Sequence, residues 1–249
     1  MIPIKSINLN KILNDHSDYI MLYYNKRNRL GKLDSINNWV EDVFGRNYTF
    51  EDILKATPEK ISHFVKKHDL VKAHPPDEIL NLRNLYFRFA VVSKSPFPNY
   101  NAFELIDKLG ITVCPYCNRN YIINVRGRNR RTCEIDHFWN KHDYPFLSLS
   151  FFNLIPSCKT CNHLKSNIPG NYYNPYDSSM TSDDLIKFSF KVVGPEFIDR
   201  KEHLKLDIKH SRPFKANIKN MAISELYNSH IDMVQELIKK KYIYNVSTR

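Results

Sequence analysis

Through the first hundred residues, apolar side chains recur at helical spacing and are interrupted by residues that start or stop helices. Ile36, Trp39, Val40, Val43 and Phe44 fall on one stripe behind Asp34 and Ser35, which predicts an amphipathic helix with a core-facing side. Thr49 followed by Asp52 has the form of a capping box. Thr57 before Pro58 and Glu59 predicts a helix start ahead of Ile61, Phe64 and Val65. Pro75 and Pro76 break the pattern, Ile79 to Phe89 resumes it, and Ser95 to Pro98 breaks it again. A further helix is predicted from Ala102 to Leu109, with Gly110 as its C-terminal cap.

Beyond Ile111 the pattern changes. Tyr121 to Val125 and Thr132 to Phe138 read as two strands joined by the turn Arg126 to Arg130, a predicted hairpin. Asn171 to Asp177 is rich in turn residues, and Phe188 to Val193 reads as a strand. Met221, Ile223, Leu226, Tyr227, Ile231, Val234, Leu237 and Ile238 predict one long amphipathic helix. The expected fold class is α+β and mostly helical. Its segments are a helical 1–110, a small mixed core at 111–177, and a mostly helical 178–249.

Composition changes this picture in one respect. A formal charge of +11, from 37 Lys and Arg against 26 Asp and Glu, favours a polyanionic partner. There is no apolar run of membrane-spanning length, and the first ten residues lack the core of a secretory signal, so a cytoplasmic protein without a membrane partner is expected.

Four of the five cysteines fall in two pairs, Cys114-Pro-Tyr-Cys117 and Cys158-Lys-Thr-Cys161. Such grouping suits a metal better than a disulfide framework. Four thiolates on two tight turns match tetrahedral Zn²⁺ and fill its coordination shell, so the expected zinc is structural. Cys133 stands apart and reads as a small buried hydrophobe.

Between and just after these pairs lie Glu134-Ile135-Asp136-His137-Phe138, Asn153-Leu154, Asn162 and Lys165. The order Asp-His, Asn-Leu, Cys-x-x-Cys-Asn, Lys resembles the HNH endonucleases, whose core is a ββα-metal unit commonly held by a treble-clef zinc site. The resemblance covers Cys114 to Lys165. Hydrolysis of a phosphodiester needs a base, an electrophile and firm positioning. His137 is the expected general base, being basic near neutral pH without tuning. Asp136 and Asn162 offer hard oxygen ligands to a catalytic Mg²⁺ or Mn²⁺. The resemblance implies that Asn153 holds the His-bearing loop.

Lys165, one helical turn beyond Asn162, is a candidate phosphate contact, and Arg126, Arg128, Arg130 and Arg131 crowd the predicted turn where they could clamp a backbone. His163 would face away from Asn162 on a helix, and His142, in the apparent loop Trp139 to Tyr144, has no partner at metal spacing. The motif with its later Asn-Pro-Tyr looks like HNH nucleases of bacterial anti-phage systems, including the Septu type. That likeness implies DNA in preference to RNA as substrate, and an ATPase partner. The competing expectation is a non-catalytic, zinc-stapled nucleic-acid-binding module.

Overall fold

Six helices fill the chain before residue 110 among the described residues, and their starts follow the expected chemistry. The computed structural model describes residues 3–128 and 130–246. Helix α1 is Leu9–Tyr24, α2 Leu30–Phe44, α3 Phe50–Lys55, α4 Pro58–Val71, α5 Asp77–Phe89 and α6 Ala102–Leu109. The α2 stripe Ile36, Trp39, Val40, Val43 and Phe44 is buried, as expected. At α3 the capping box is complete: Thr49 accepts from the Asp52 N–H, and the Asp52 carboxylate accepts from the Thr49 N–H at 2.9 Å. Thr57 caps α4 with Pro58 in the first turn. Asn101 caps α6, which ends on Gly110 at φ +66°, a left-handed position that glycine takes without a Cβ penalty.

The strands that follow depart from the expected hairpin. β1 (Asn124–Val125) pairs with β2 (Arg130–Arg131) around the arginine-rich turn. Glu134–His137, however, forms a separate strand, β3, which pairs antiparallel with β4 (Leu154–Ser157) in the register His137 with Leu154 and Glu134 with Ser157. All four residues of β4 are buried. A strand covered on both faces has no alternating pattern to betray it, which is why Leu-Ile-Pro-Ser does not read as the partner. Helix α7, Lys159–Lys165, follows β4 directly, so the local order is strand, strand, helix.

After α7 come α8 (Ser182–Leu185) and the longest strands of the chain, β5 (Ile186–Val192) and β6 (Leu204–His210), paired along their full length. β5 matches the expected strand at Phe188 to Val193. Then follow α9 (Lys215–Asn220), α10 (Ile223–Asn228) and α11 (Ile231–Val246). The single long helix expected over Met221 to Ile238 is therefore divided. At the break the Ser229 hydroxyl donates to the Leu226 carbonyl at 2.7 Å, a local bond that competes with helical continuation. The protein is α+β and about 54% helical, with small sheets. No helix among the described residues is long and apolar enough to cross a membrane.

The chain divides into two compact units, a larger one of 3–162 with 174–177 and a smaller one of 163–173 with 178–246. The core of the larger unit forms where α1–α6 meet the segment from Pro145 to Cys158, which is buried at every position. Phe146 contacts the rings of Trp39, Phe44 and His68, while Phe151 meets His16 and Tyr176. Ser150 donates its hydroxyl to the Ile53 carbonyl at 2.8 Å.

His16, fully buried on α1, bolts that segment to the helices within the larger unit. Its Nε2 lies 2.7 Å from the Leu149 carbonyl, which can only accept, so Nε2 carries the proton and Nδ1 accepts from the Tyr100 hydroxyl, also at 2.7 Å. Burial pushes the His16 pKa down to about 4, against a smaller upward pull from the Leu149 carbonyl. The folded state thus holds His16 neutral, whereas the unfolded chain takes up a proton below about 6.5. Stability contributed by the neutral ring is complete above that value and is lost as pH falls from about 6.5 towards 4. The loss amounts to about 3 kcal/mol by linkage. Urea titrations at neutral pH and near pH 4.5 are expected to show this decline in the wild type and a shallower one in His16→Gln. Equal pH dependence in both would refute the assignment.

Candidate functional site

Two tight turns bring the cysteines together. In the first, the Asn118 N–H donates to the Cys114 carbonyl at 2.8 Å and the Cys114 N–H to the Asn120 carbonyl at 2.9 Å. The turn closes through Asn118 at φ +49°, a left-handed conformation that asparagine tolerates better than most residues. The second turn is the entry to α7, where the Cys161 N–H points at Cys158 Sγ at 3.4 Å and the Asn162 N–H reaches the Cys158 carbonyl at 3.0 Å. The four sulfurs are buried and lie within 4.8 Å of one another, with Cys117 and Cys158 at 4.0 Å. Tetrahedral zinc–thiolate geometry with bonds of ~2.3 Å sets neighbouring sulfurs roughly 3.8 Å apart, so the cluster fits a metal such as zinc.

N–H groups aimed at the sulfurs suit thiolates. The Asn120 side-chain amide donates to Cys158 Sγ at 3.3 Å. Hydrogen bonds from neighbouring thiols, Cys114 first, hold Cys117 down to about 7 and Cys158 lower still. Cys114 and Cys161 are pushed up by the same crowding. Four sulfurs so close cannot all ionise without a cation between them, and a divalent ion supplies that condition. Among the described residues this is the one group of three or more His, Cys, Asp or Glu side chains whose ligand atoms converge. Cys133, by contrast, is buried alone with its thiol pushed up to about 11 by burial.

Next to the cluster stands β3. Asp136 is 5% exposed and accepts a hydrogen bond of 2.6 Å from the Tyr116 hydroxyl. Tyr116 sits between Cys114 and Cys117 in the chain and is itself buried, so one turn serves both the sulfurs and this carboxylate. Burial first, and then the Asp136 charge, drive the Tyr116 pKa well up, which keeps the phenol a donor.

His137, 6% exposed, points its Nε2 at the Ser148 carbonyl at 3.0 Å. The carbonyl can only accept, so Nε2 carries a proton and donates it to Ser148. The Tyr86 ring meets the imidazole edge to face at 4.3 Å, and its hydroxyl donates to the Ile135 carbonyl at 3.3 Å. Burial pushes Tyr86 up to about 12, with the nearby Asp136 and Glu134 charges adding to it and Arg131 opposing.

Asn153, fully buried, braces the chain on the far side of His137. Its Oδ1 accepts from the Trp139 N–H at 2.7 Å, and its Nδ2 donates to the Trp139 and Leu147 carbonyls at 3.1 and 3.0 Å. Its own carbonyl accepts from the Phe138 N–H at 2.9 Å. Asn162 in α7 donates through Nδ2 to Glu134 Oε2 at 2.6 Å, tying the helix to β3.

The outer candidates are less concentrated. Lys165 belongs to the smaller unit, where it is buried with its ammonium 5.5 Å from the centre of the Tyr172 ring. Arg126 is exposed and ion-paired with Asp107 at 2.6 Å. Arg130 is exposed, and Arg131 donates to the Ala90 carbonyl at 3.1 Å. The Arg128 side chain lies outside the described residues, as do Asn129 and 247–249. His142 is exposed near Arg83, and His163 is exposed.

Sequence reasoning missed Glu134, Tyr116, Tyr86 and Lys141 as members of the site. Lys141 stands 5.6 Å from the Tyr86 ring centre, and its pKa is lowered by burial despite the attraction of Asp136. Glu134 and Tyr116 were within reach of a sequence reading, since both sit inside the quoted motifs. Tyr86 and Lys141 carry no such signal. No protein-family model, curated protein or solved structure matches the chain significantly, so the case for this site rests on its geometry.

Two outcomes are expected. Zinc analysis of the purified protein should find one ion per chain, and Cys158→Ser should lose both zinc and fold, because a structural site contributes on the order of 10 kcal/mol. A soluble Cys158→Ser protein that melts at the wild-type temperature would sink the structural role. Asn153→Asp keeps the shape but turns two donated bonds into contacts between carboxylate and carbonyl oxygens. A loss of about 3 kcal/mol or more is expected in urea denaturation. An unchanged midpoint would show that the bracing is unimportant.

Proposed function

We propose that the chain is a metal-dependent HNH-type endonuclease that hydrolyses phosphodiester bonds, with DNA favoured over RNA. The reading rests on one juxtaposition. Asp136 and His137 end a strand that pairs with the strand leading into α7, Asn162 of that helix is bonded back to Glu134, and the cysteine cluster fastens both. Adjacent side chains on an ideal strand face opposite ways. Here His137 is the last strand residue, and Asn153 shapes the chain immediately beyond it.

In this reading His137 takes the proton of the attacking water, its ring held by the bond from Nε2 to the Ser148 carbonyl. Asp136 and the Asn162 amide oxygen are the residues that would hold Mg²⁺ or Mn²⁺; donation of Asn162 Nδ2 to Glu134 leaves Oδ1 as its ligating atom. The bound ion would supply the positive charge that offsets negative charge gathering on the phosphate and the leaving oxygen. Asn153 acts as a positioning residue through the loop it braces. Arg126, Arg128, Arg130, Arg131 and Lys165 are the proposed phosphate contacts. The motif's likeness to Septu-type HNH nucleases extends the proposal to a cytoplasmic effector of anti-phage defence that works beside an ATPase.

One observation favours the non-catalytic alternative: Asp136 and His137 are nearly fully buried, as satisfied core residues are. Cleavage separates the two readings. Supercoiled plasmid with Mg²⁺ should be cut by wild-type protein, prepared alone and also isolated from its host with any partner retained. His137→Ala should slow cutting by about 10²–10⁴-fold. Intact plasmid in both preparations, or equal cutting by the variant, would rule the nuclease reading out.

A further inference from the structure

The β5–β6 hairpin of the smaller unit has two unlike faces. In its register Phe188 lies opposite Ile208 and Phe190 opposite Leu206; this side turns towards α10 and α11, where Phe188 meets the Tyr227 ring at 4.4 Å. The other side alternates in step: Lys187 opposite Lys209, Ser189 opposite Asp207, Lys191 opposite Lys205. All four lysines are exposed.

Two like-charged pairs directly across a ladder repel one another, so this arrangement does not serve the stability of the hairpin. One acidic side chain stands among the four: Asp207 is 3.5 Å from Lys191 Nζ, and its carbonyl receives the Ser189 hydroxyl at 3.3 Å. Four residues of strand separate the two lysine pairs, about 13 Å at ~3.3 Å per residue, while the members of a pair are about 5 Å apart. Positive charge is therefore held at two poles, with a polar rung between them.

We infer that this face binds the phosphate backbone of double-stranded DNA, one lysine pair on each wall of a groove. The B-form major groove is ~12 Å wide, close to the separation of the poles, so a hairpin laid across it can set one pair on each wall. The Ser189–Asp207 rung then falls over the groove and not over a phosphate. A uniformly anionic surface, such as a lipid bilayer, would instead press against the Asp207 carboxylate. Only the choice of DNA as the polyanion depends on the nuclease reading; the two-poled lysine face stands without it.

The test measures binding without cleavage. Full-length protein carrying His137→Ala, with no Mg²⁺ added, is titrated with a short fluorescent DNA duplex over a range of salt. Replacing the four lysines together (K187Q, K191Q, K205Q, K209Q) should weaken binding at least about ten-fold at 0.1 M salt. The slope of log affinity against log salt should become shallower by about 3 to 4, near 0.9 for each phosphate that is no longer neutralised. The variant should melt no lower than its parent; if it does melt lower, the pair K187Q and K209Q, expected to lose about half that slope, decides. A control with the same charge change on exposed lysines of the larger unit (K26Q, K32Q, K60Q, K66Q) should keep the parent's slope. The inference fails if the hairpin variants bind like the parent, or if the control loses as much slope. It also fails if the hairpin variants lose only binding to phosphatidylserine vesicles. Plasmid cutting that survives loss of this face, or duplex binding by a protein that never cuts, assigns failure to one proposal and not the other.

Discussion

A buried stretch of chain without helix or ladder must still satisfy its carbonyl groups, and in the larger unit that requirement organises everything around it. From Pro145 into Asn153 the backbone runs through the core in short 3₁₀ turns. Three consecutive carbonyls there are met by side chains from three different places: Leu147 by Asn153, Ser148 by His137 and Leu149 by His16. The Leu147 carbonyl also accepts from the Ser150 N–H at 3.2 Å, whereas loss of the His137 or His16 bond would leave a buried acceptor unpaired, at about 1–3 kcal/mol. One segment therefore joins the helical core, through His16, to the candidate site, through His137. The bond that orients the imidazole is also one that keeps the core intact.

The helices were legible because their signals are local. Thr49 with Asp52 and Thr57 with Pro58 each declare a helix start within a few residues, Gly110 declares the end of α6, and the α2 stripe declares its buried side. The pairing of β3 with β4 was not legible, because Leu154–Ser157 is covered on both sides and shows no alternation. β6, by contrast, alternates apolar Leu204, Leu206 and Ile208 with polar Lys205, Asp207 and Lys209 and was within reach of a sequence reading, whereas the division between α10 and α11 accompanies one serine bond, which periodicity does not register. Within the site, the cysteine pairs could be read from spacing and their convergence is a property of the fold. Tyr86 and Lys141 come from a helix and a loop far apart in sequence, and nothing in either neighbourhood marks them.

The site keeps soft and hard donors apart while letting them share one turn. Four sulfurs holding a divalent ion would carry a net negative charge, and Asp136 adds another anion nearby. Tyr116 lies between them: burial first, then the carboxylate and the sulfurs, disfavour its ionisation, so it stays a neutral donor to Asp136. A phenol in that position can bond a carboxylate without adding charge to an anionic neighbourhood, which neither a lysine nor a second acid could do.

The bond between His16 and Leu149 spans 133 residues of chain, and that between Ser150 and Ile53 spans 97. During synthesis α1–α6 leave the ribosome well before the segment that fills their core. At ~5–20 residues per second the stretch from Leu109 to Leu149 takes roughly 2–8 seconds, during which the segment that packs against α2 and α5 is absent. The helical segment is thus a half-built container, prone to sticking to other chains until residue 149 and its neighbours arrive. A nascent chain cut short before that point would be expected to need a chaperone rather than to fold.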